Sequence, residues 1–193
     1  EYNFDLFINK SVWRLVSADS QHSGNEATKA FDNDPSTFWH TEYWGSEPSC
    51  PHTIIINMMK IYEVTAFTYT ARTDGSQNGM VKAYEVYLST DGKTWGKPVA
   101  SGEFKNTAAM QIAKLAKPTA GRYLKFVAKS EINNKAWTSA AEIGIQATAD
   151  VTSIKDISTI VPANDANYYT LQGIPTPYPT KGIYVHRGKK VLF

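Results

Sequence analysis

Asp32, Asp34 and Ser36 alternate in the segment FDNDPSTFWHTEYW. Oxygen-bearing side chains at every second position suit a hard cation such as calcium, which takes several oxygen ligands at ~2.3–2.6 Å. The pattern opens like an EF-hand loop and then departs from it. Counting from Asp32, the sixth position is Thr37 rather than Gly, the twelfth is Tyr43 rather than a bidentate Glu, and no helical flanks are visible. The same residues also suit a plain tight turn before Pro35, because Asx side chains bond their own backbone two residues on. Both readings stand at this point. The rest of the chain carries no catalytic motif: HExxH, GxSxG and a phosphate-cradling glycine loop are missing, and His22, His40, His52 and His186 are widely spread. Cys50 is the single cysteine, which excludes an intramolecular disulfide and a cysteine-cluster metal site and predicts a small buried hydrophobe.

The elements that must position these residues have a hydrophobic period close to two. In MVKAYEVYLS, residues 80–89, Met80, Tyr84, Val86 and Leu88 share one face while Val81, Ala83, Glu85, Tyr87 and Ser89 share the other, as a β-strand requires. The strand runs into Asp91-Gly92, a strong hairpin signal, with TWGKPVA expected as the returning strand. Further strands are predicted at HTIIIN (52–57), VTAFTYTAR (64–72), RYLKFVAK (122–129) and AEIGIQA (141–147), and only SGNEATKAF (23–31) has a helical look. Short strands at regular spacing without alternating helices predict an all-β fold, an antiparallel β-sandwich or jelly roll, over residues 1–148. Residues 149–193 form a polar linker and a small C-terminal β module. GIYVHRGKKVLF reads there as a hairpin turning near Arg187-Gly188.

Composition removes several function classes. Twenty basic against eighteen acidic residues give a formal net charge of +2, and the lysines are scattered, so no footprint for nucleic acid exists. No apolar run approaches the ~20 residues of a membrane-spanning helix. The opening EYNFDLFINK lacks the pattern of a signal peptide, and the chain starts without methionine. A piece excised from a longer protein, with any export address upstream, is therefore expected.

Four separated motifs carry a family resemblance in order. They are NEATKAFDNDPSTFWHTEYW (25–44), FTYTARTDGSQNGMVKAYEVYLSTDGKTWG (67–96), RYLKFVAKS (122–130) and AWTSAAEIGI (136–145). Together they resemble the discoidin, or coagulation factor 5/8 type C, family, and within it carbohydrate-binding module family 32. The resemblance implies a galactose-binding-like jelly roll, in agreement with the strand pattern. It also implies one structural calcium where the start of the domain meets its end. Its ligands would be the Lys29 carbonyl, the Asp32 side chain, the Asp34 carbonyl, Thr37 through carbonyl and hydroxyl, and Ala141 with Glu142.

Beside that metal the resemblance implies a sugar site on three loops. A pyranose offers a patchily apolar face and a ring of hydroxyls, so its receptor needs an aromatic plate and a few polar groups. His40 with Tyr43 or Trp44, Arg72 with Asn78, and Trp137 fill those roles. Trp39, Trp95 and Tyr84 are expected in the core. The implied function is a non-catalytic module that brings an attached secreted glycoside hydrolase, a chitobiase-type β-hexosaminidase as the leading expectation, to glycans bearing galactose or N-acetylhexosamine. The expected partners are those glycans and an upstream catalytic domain of the same polypeptide, and the expected location is secreted, periplasmic or cell-surface. The alternative is an adhesion module that pushes apolar loop tips such as Tyr43-Trp44 into phospholipid or protein, although Glu42 and Glu47 flank that tip. The segment 168–193, with Leu171, Gly173, Gly182 through Val185 and Lys189 through Val191, resembles C-terminal modules of secreted bacterial proteins, some of them sorting signals. It implies export and a natural terminus near Phe193.

Overall fold

Two long apolar strands carry the fold. The computed structural model describes residues 6–150, 168–170, 175–176, 181, 183–186 and 189–192. Its strands are β1 (Leu6–Phe7), β2 (Arg14–Ala18), β3 (Trp39–His40), β4 (His52–Thr70), β5 (Ala83–Ser89), β6 (Ala100–Glu103) and β7 (Gln111–Ala128). They continue with β8 (Ser139–Ala140), β9 (Glu142–Asp150), β10 (Tyr168–Thr170), β11 (Pro175–Thr176), β12 (Ile183–His186) and β13 (Lys189–Leu192). The segment expected to look helical forms one 3-10 turn, Ala27–Phe31.

β4 and β7 are antiparallel partners along most of their length, and both bend midway. Asn57 pairs with Tyr123 and Tyr62 with Gly121, so residues 58–61 stand opposite Arg122 alone. This is a bulge, and it re-aims the pair. Met59 takes φ 67° there, and the Asn57 Oδ1 accepts from the Met59 amide at 2.9 Å and from Arg122 Nε at 3.2 Å. Before the bend β4 pairs with β2, and after it with β9. β2, the first half of β4, the second half of β7, β5 and β6 therefore make one layer. β1, β9 and the other halves make the second. Phe67 and Phe126, from opposite layers, stack with ring centroids 5.1 Å apart, and Phe104 stacks on Tyr69 and Tyr84 at 4.7 and 4.0 Å. This is the antiparallel jelly-roll sandwich that the period-two pattern predicts.

Some local expectations need correction. HTIIIN and VTAFTYTAR are one continuous strand, because the bulge bends the ladder without ending it. Residues 111–121 belong to β7, which extends the strand expected at 122–129 toward the N-terminus. The Asp91-Gly92 hairpin is not a two-residue turn: of the two only Gly92 has positive φ (72°), and the strand that returns to β5 is residues 100–103, which shares only Ala100 with TWGKPVA. The Asp91 carboxylate accepts instead from the amides of Lys93 and Thr94 and the Ser89 hydroxyl, each at 2.8 Å, which builds a longer loop. Trp39 and Tyr84 are core residues as expected, but Trp95 is only half-buried, with the Lys125 ammonium 4.7 Å from its ring.

The chain divides into two units, Glu1–Thr152 and Ser153–Phe193. The second contains a four-stranded sheet in the order β11-β10-β12-β13, so residues 168–170 and 175–176 join the expected hairpin. The hairpin pairs His186 with Lys189. Leu171, Gly173, Gly182, Arg187 and Gly188 lie outside the described residues, as does the linker 151–167.

Gly79 joins the Asn78 loop to the strand that carries Ser139. It has φ 81°, and a Cβ there would stand 2.7 Å from the Ser139 backbone nitrogen, whose N–H donates to the Gly79 carbonyl. Gly75 has a similar φ of 85° with open space around it. Gly75→Ala should therefore cost only the left-handed strain of roughly 1–2 kcal/mol, and Gly79→Ala distinctly more. Equal urea midpoints for the two variants would show that the close approach is unimportant.

Candidate functional site

β3 and β8 form a small ribbon, with His40 opposite Ser139, where three loops meet. Thr41 and Thr138 clamp it, the Thr41 amide donating to the Thr138 carbonyl and the Thr138 amide to the Thr41 hydroxyl, each at 2.9 Å. A third loop is pinned by Ser139, whose hydroxyl donates to the Asn78 carbonyl at 3.0 Å. Between them lies a cavity of about 240 Å³ lined by Asn25, Phe38, His40, Tyr43, Arg72, Asn78 and Trp137. Five of the six residues expected to touch sugar thus converge. Trp44 does not line the cavity and is 81% exposed, so of the two adjacent aromatics it is Tyr43 that the cavity receives.

Each wall is held by identifiable bonds. Arg72 donates through Nε and Nη2 to the two oxygens of Asp74 at 2.8 and 2.5 Å, and through Nη1 to the Asn78 carbonyl at 3.3 Å. Its guanidinium carbon lies 4.3 Å from the Phe38 ring centroid. Three of the five guanidinium N–H groups are used, which leaves two for a ligand. The same pair holds the Asp74 carboxyl below the usual carboxylate range. His40 is buried, and its Nδ1 donates to the Thr41 carbonyl at 2.7 Å. Burial, helped by the nearby Arg72 charge and opposed by bonds to the Thr41 and Asn78 backbone, lowers its pKa below the ordinary 6.5, which favours the neutral ring at pH 7. Tyr43 stacks on His22 at 4.0 Å and meets His40 edge-on at 4.9 Å. Trp137 is half-buried, 6.2 Å from His40, and its indole N–H has no hydrogen-bond partner. The cavity therefore combines aromatic faces with a neutral imidazole, half a guanidinium fork and the Asn78 amide.

Asn25, Phe38 and His52 escape sequence reasoning. Asn25 heads a motif and Phe38 neighbours the core Trp39, so neither stands out from its surroundings. His52 is fully buried behind the Trp137 loop. Its Nδ1 lies 3.0 Å from Asp19 Oδ2, and its Nε2 lies 2.8 Å from the Ala136 carbonyl and 3.1 Å from that of Pro48. All three partners are acceptors, which favours the imidazolium, in which both ring nitrogens donate. Burial opposes that charge, yet the bonds to Asp19 and the two carbonyls outweigh it and raise the pKa.

The residues expected to hold calcium form a cradle of oxygens. Asp32 accepts from the Asp34 amide at 2.9 Å and the Thr37 hydroxyl at 2.6 Å, while Asn33 takes φ 68°. Both the turn reading and the metal reading survive this geometry. The Asp34 side chain caps Ser36, through amide and hydroxyl, and its carboxyl pKa is lowered by those bonds. Lys29 points its ammonium at the Gly24 carbonyl, so only its backbone could serve a cation. Ala141 precedes β9 and Glu142 opens it, with the Glu142 carboxylate buried and paired with the Lys10 ammonium. Burial lowers the Lys10 pKa to about 8, against an opposing pull from Asp32. Among the described residues no cluster of three or more His, Cys, Asp or Glu could hold a metal ion. A cation here would thus depend on backbone carbonyls and would share the Glu142 carboxylate with Lys10, and an all-oxygen set fits a hard ion. Thr73 couples cradle to cavity, its hydroxyl donating to the Pro35 carbonyl at 2.8 Å.

Residues 16–143 match the F5/8 type C domain. The chain belongs to that family. This F5/8 type C domain is 42% identical over 139 residues to galactose oxidase of Gibberella zeae, covering 72% of this chain and 20% of that protein. The chain spans about a fifth of the length of that curated relative. CpGH89CBM32-5 from Clostridium perfringens, solved in complex with GalNAc-beta-1,3-galactose, is similar with a TM-score of 0.65 at 28% identity, covering 72% of this chain and 99% of that one. The C-terminal domain of a chitobiase from Bacteroides fragilis is similar with a TM-score of 0.67 at 25% identity, covering 74% and 97%. Family 32 carbohydrate-binding modules are thus the structural neighbours of this F5/8 type C domain, and the galactose-binding-like fold is common to them.

His52 generates a pH prediction. Its folded pKa exceeds the ordinary value of 6.5, so the stability it contributes is fully present below pH 6.5 and is lost as pH rises through the folded pKa. The melting-temperature gap between wild type and His52→Gln should be widest below pH 6.5 and narrow at higher pH. A gap that widens with pH would refute the imidazolium.

Proposed function

We propose that residues 6–150 form a non-catalytic carbohydrate-binding module that seats one sugar residue of the galactose or N-acetylhexosamine type in the 240 Å³ cavity. The convergence of Tyr43 and Trp137 with His40, Arg72 and Asn78 in that cavity supports this reading. A pyranose would lay its apolar face on an aromatic ring. Two free Arg72 N–H groups and the Asn78 amide would meet its hydroxyls, with neutral His40 as an acceptor. The complex of the Clostridium perfringens module with GalNAc-beta-1,3-galactose supports the sugar class, and the Bacteroides fragilis chitobiase domain supports a chitobiase-type hexosaminidase as host. The host enzyme would be secreted, periplasmic or displayed at the cell surface, where such glycans occur. The module itself would supply no nucleophile or acid/base pair and no turnover of its own.

A hexose has about a dozen heavy atoms, and ~0.3–0.4 kcal/mol per atom gives roughly 4–5 kcal/mol, a Kd of about 0.2–1 mM. Such weak binding suits a tether that gains avidity from a polymer. Titration calorimetry should show millimolar-range binding of galactose, N-acetylgalactosamine or N-acetylglucosamine. Arg72→Ala should weaken it by ~1.5–3 kcal/mol, to below detection. Wild-type affinity in Arg72→Ala and Trp137→Ala alike would place the site elsewhere.

Calcium, in this proposal, would be held by the Lys29 and Asp34 carbonyls, Asp32, Thr37, Ala141 and Glu142. It would tie the turn after the 3-10 segment to the head of β9, adding only electrostatic crosslinking. Binding the folded state alone, it would stabilise by ~2.7 kcal/mol at a hundredfold excess over its Kd. A chelator should lower the Tm of wild type and leave Asp32→Ala unmoved. Identical wild-type melting curves with and without chelator would end the calcium proposal.

A further inference from the structure

Trp44 is 81% exposed, whereas the other exposed large hydrophobics, from Tyr43 at 37% to Val16 at 54%, are about half covered. Its backbone is held by hydrogen bonds. One oxygen of Glu42 accepts from the Tyr43 amide at 2.9 Å and the Trp44 amide at 2.8 Å, and lies 2.7 Å from His22 Nδ1. The His22 ring in turn is the surface on which Tyr43 stacks. Gly45, with φ 76°, closes the turn behind. A single carboxylate thus fixes two consecutive aromatics, Tyr43 in the cavity wall and Trp44 in solvent beside it. A bare indole leaves a large apolar face in water, and apolar area of this kind, next to a polar pocket, marks a contact surface.

We infer that Trp44 is a second stacking platform, for the sugar residue that follows the one in the cavity. The inference rests on the reading of the cavity as a monosaccharide site. A space of about 240 Å³ lies below the ~300–1,000 Å³ of pockets for larger ligands, so a longer glycan must continue outside its mouth. The rim formed by the Arg72 loop is polar, carrying Thr73, Asp74 and Ser76, and cannot offer a pyranose an apolar face. The Tyr43-Trp44 turn can. Glu42 and Glu47 flank this turn and no basic side chain stands within it, which disfavours an anionic lipid surface as the occupant.

The test compares N-acetylgalactosamine with GalNAc-beta-1,3-galactose on the full 193-residue chain, by calorimetry and by acrylamide quenching of tryptophan emission. Wild type should bind the disaccharide roughly threefold to tenfold more tightly than the monosaccharide, and quenching should fall further with the disaccharide. Trp44→Ala should bind both sugars with the monosaccharide's affinity, and Trp44→Phe should keep part of the gain. Equal affinities in wild type, or a disaccharide gain that survives in Trp44→Ala, overturn the second platform while leaving the cavity reading intact. Loss of monosaccharide binding in Trp44→Ala overturns it too, by making Trp44 part of the first site. Absence of binding by either sugar in wild type sinks the cavity reading and this inference together. An emission change on phosphatidylserine vesicles without any response to disaccharide would overturn it in favour of a membrane surface.

Discussion

The bend shared by β4 and β7 is the constraint on which everything else in this domain depends. Two strands that stay paired through a bulge must turn together, so each contributes one half to each layer and the inner faces are forced to meet. Ile54, Ile56, Leu124 and Phe126 from one side of the bend are buried with Val64, Phe67 and Tyr69 from the other in one cluster. The Asn57 side chain, bonded to both the Met59 amide and Arg122, fastens the corner. The bend also determines where chain leaves the sheets. β4 ends at Thr70, two residues before Arg72, and β7 ends at Ala128 ahead of the loop to Trp137.

Around that frame the loops are organised mainly by acidic side chains that accept backbone amides. Glu42 holds the amides of residues 43 and 44, and buried Glu131 accepts from those of Asn133 and Lys135 ahead of Trp137. Asp19 takes the Thr53 amide with one oxygen and faces His52 with the other. Asp74 spends both oxygens on Arg72. Carboxylates engaged in this way are structural, and the polar surface left over for a ligand is correspondingly small and specific. It consists of two guanidinium N–H groups, the Asn78 amide and one imidazole nitrogen beside aromatic rings. In the proposed role, a site of this composition would recognise the pattern of hydroxyls on a neutral ring.

Much of this was legible in the chain because it is local. Period-two alternation specifies strands wherever one face is buried. Asp32, Asp34 and Thr37 form their turn within a few residues, and His40, Arg72, Asn78 and Trp137 sit in motifs whose order along the chain identifies the family. Other features were decided only when distant segments met. Adjacent in sequence, Tyr43 and Trp44 are equivalent until the Glu42 carboxylate and the His22 ring divide them between cavity and solvent. His52 looks like an isolated histidine at the head of an apolar strand until Asp19 and the carbonyls of Pro48 and Ala136 surround it with acceptors. Trp95, apolar and flanked by strand residues, is drawn to the Lys125 ammonium instead of the core. Period and turn chemistry act over two to four residues and can be read from a string of letters. Burial, charge state and the direction in which a loop side chain points depend on partners brought together by the bend of β4 and β7, whose positions no local pattern records.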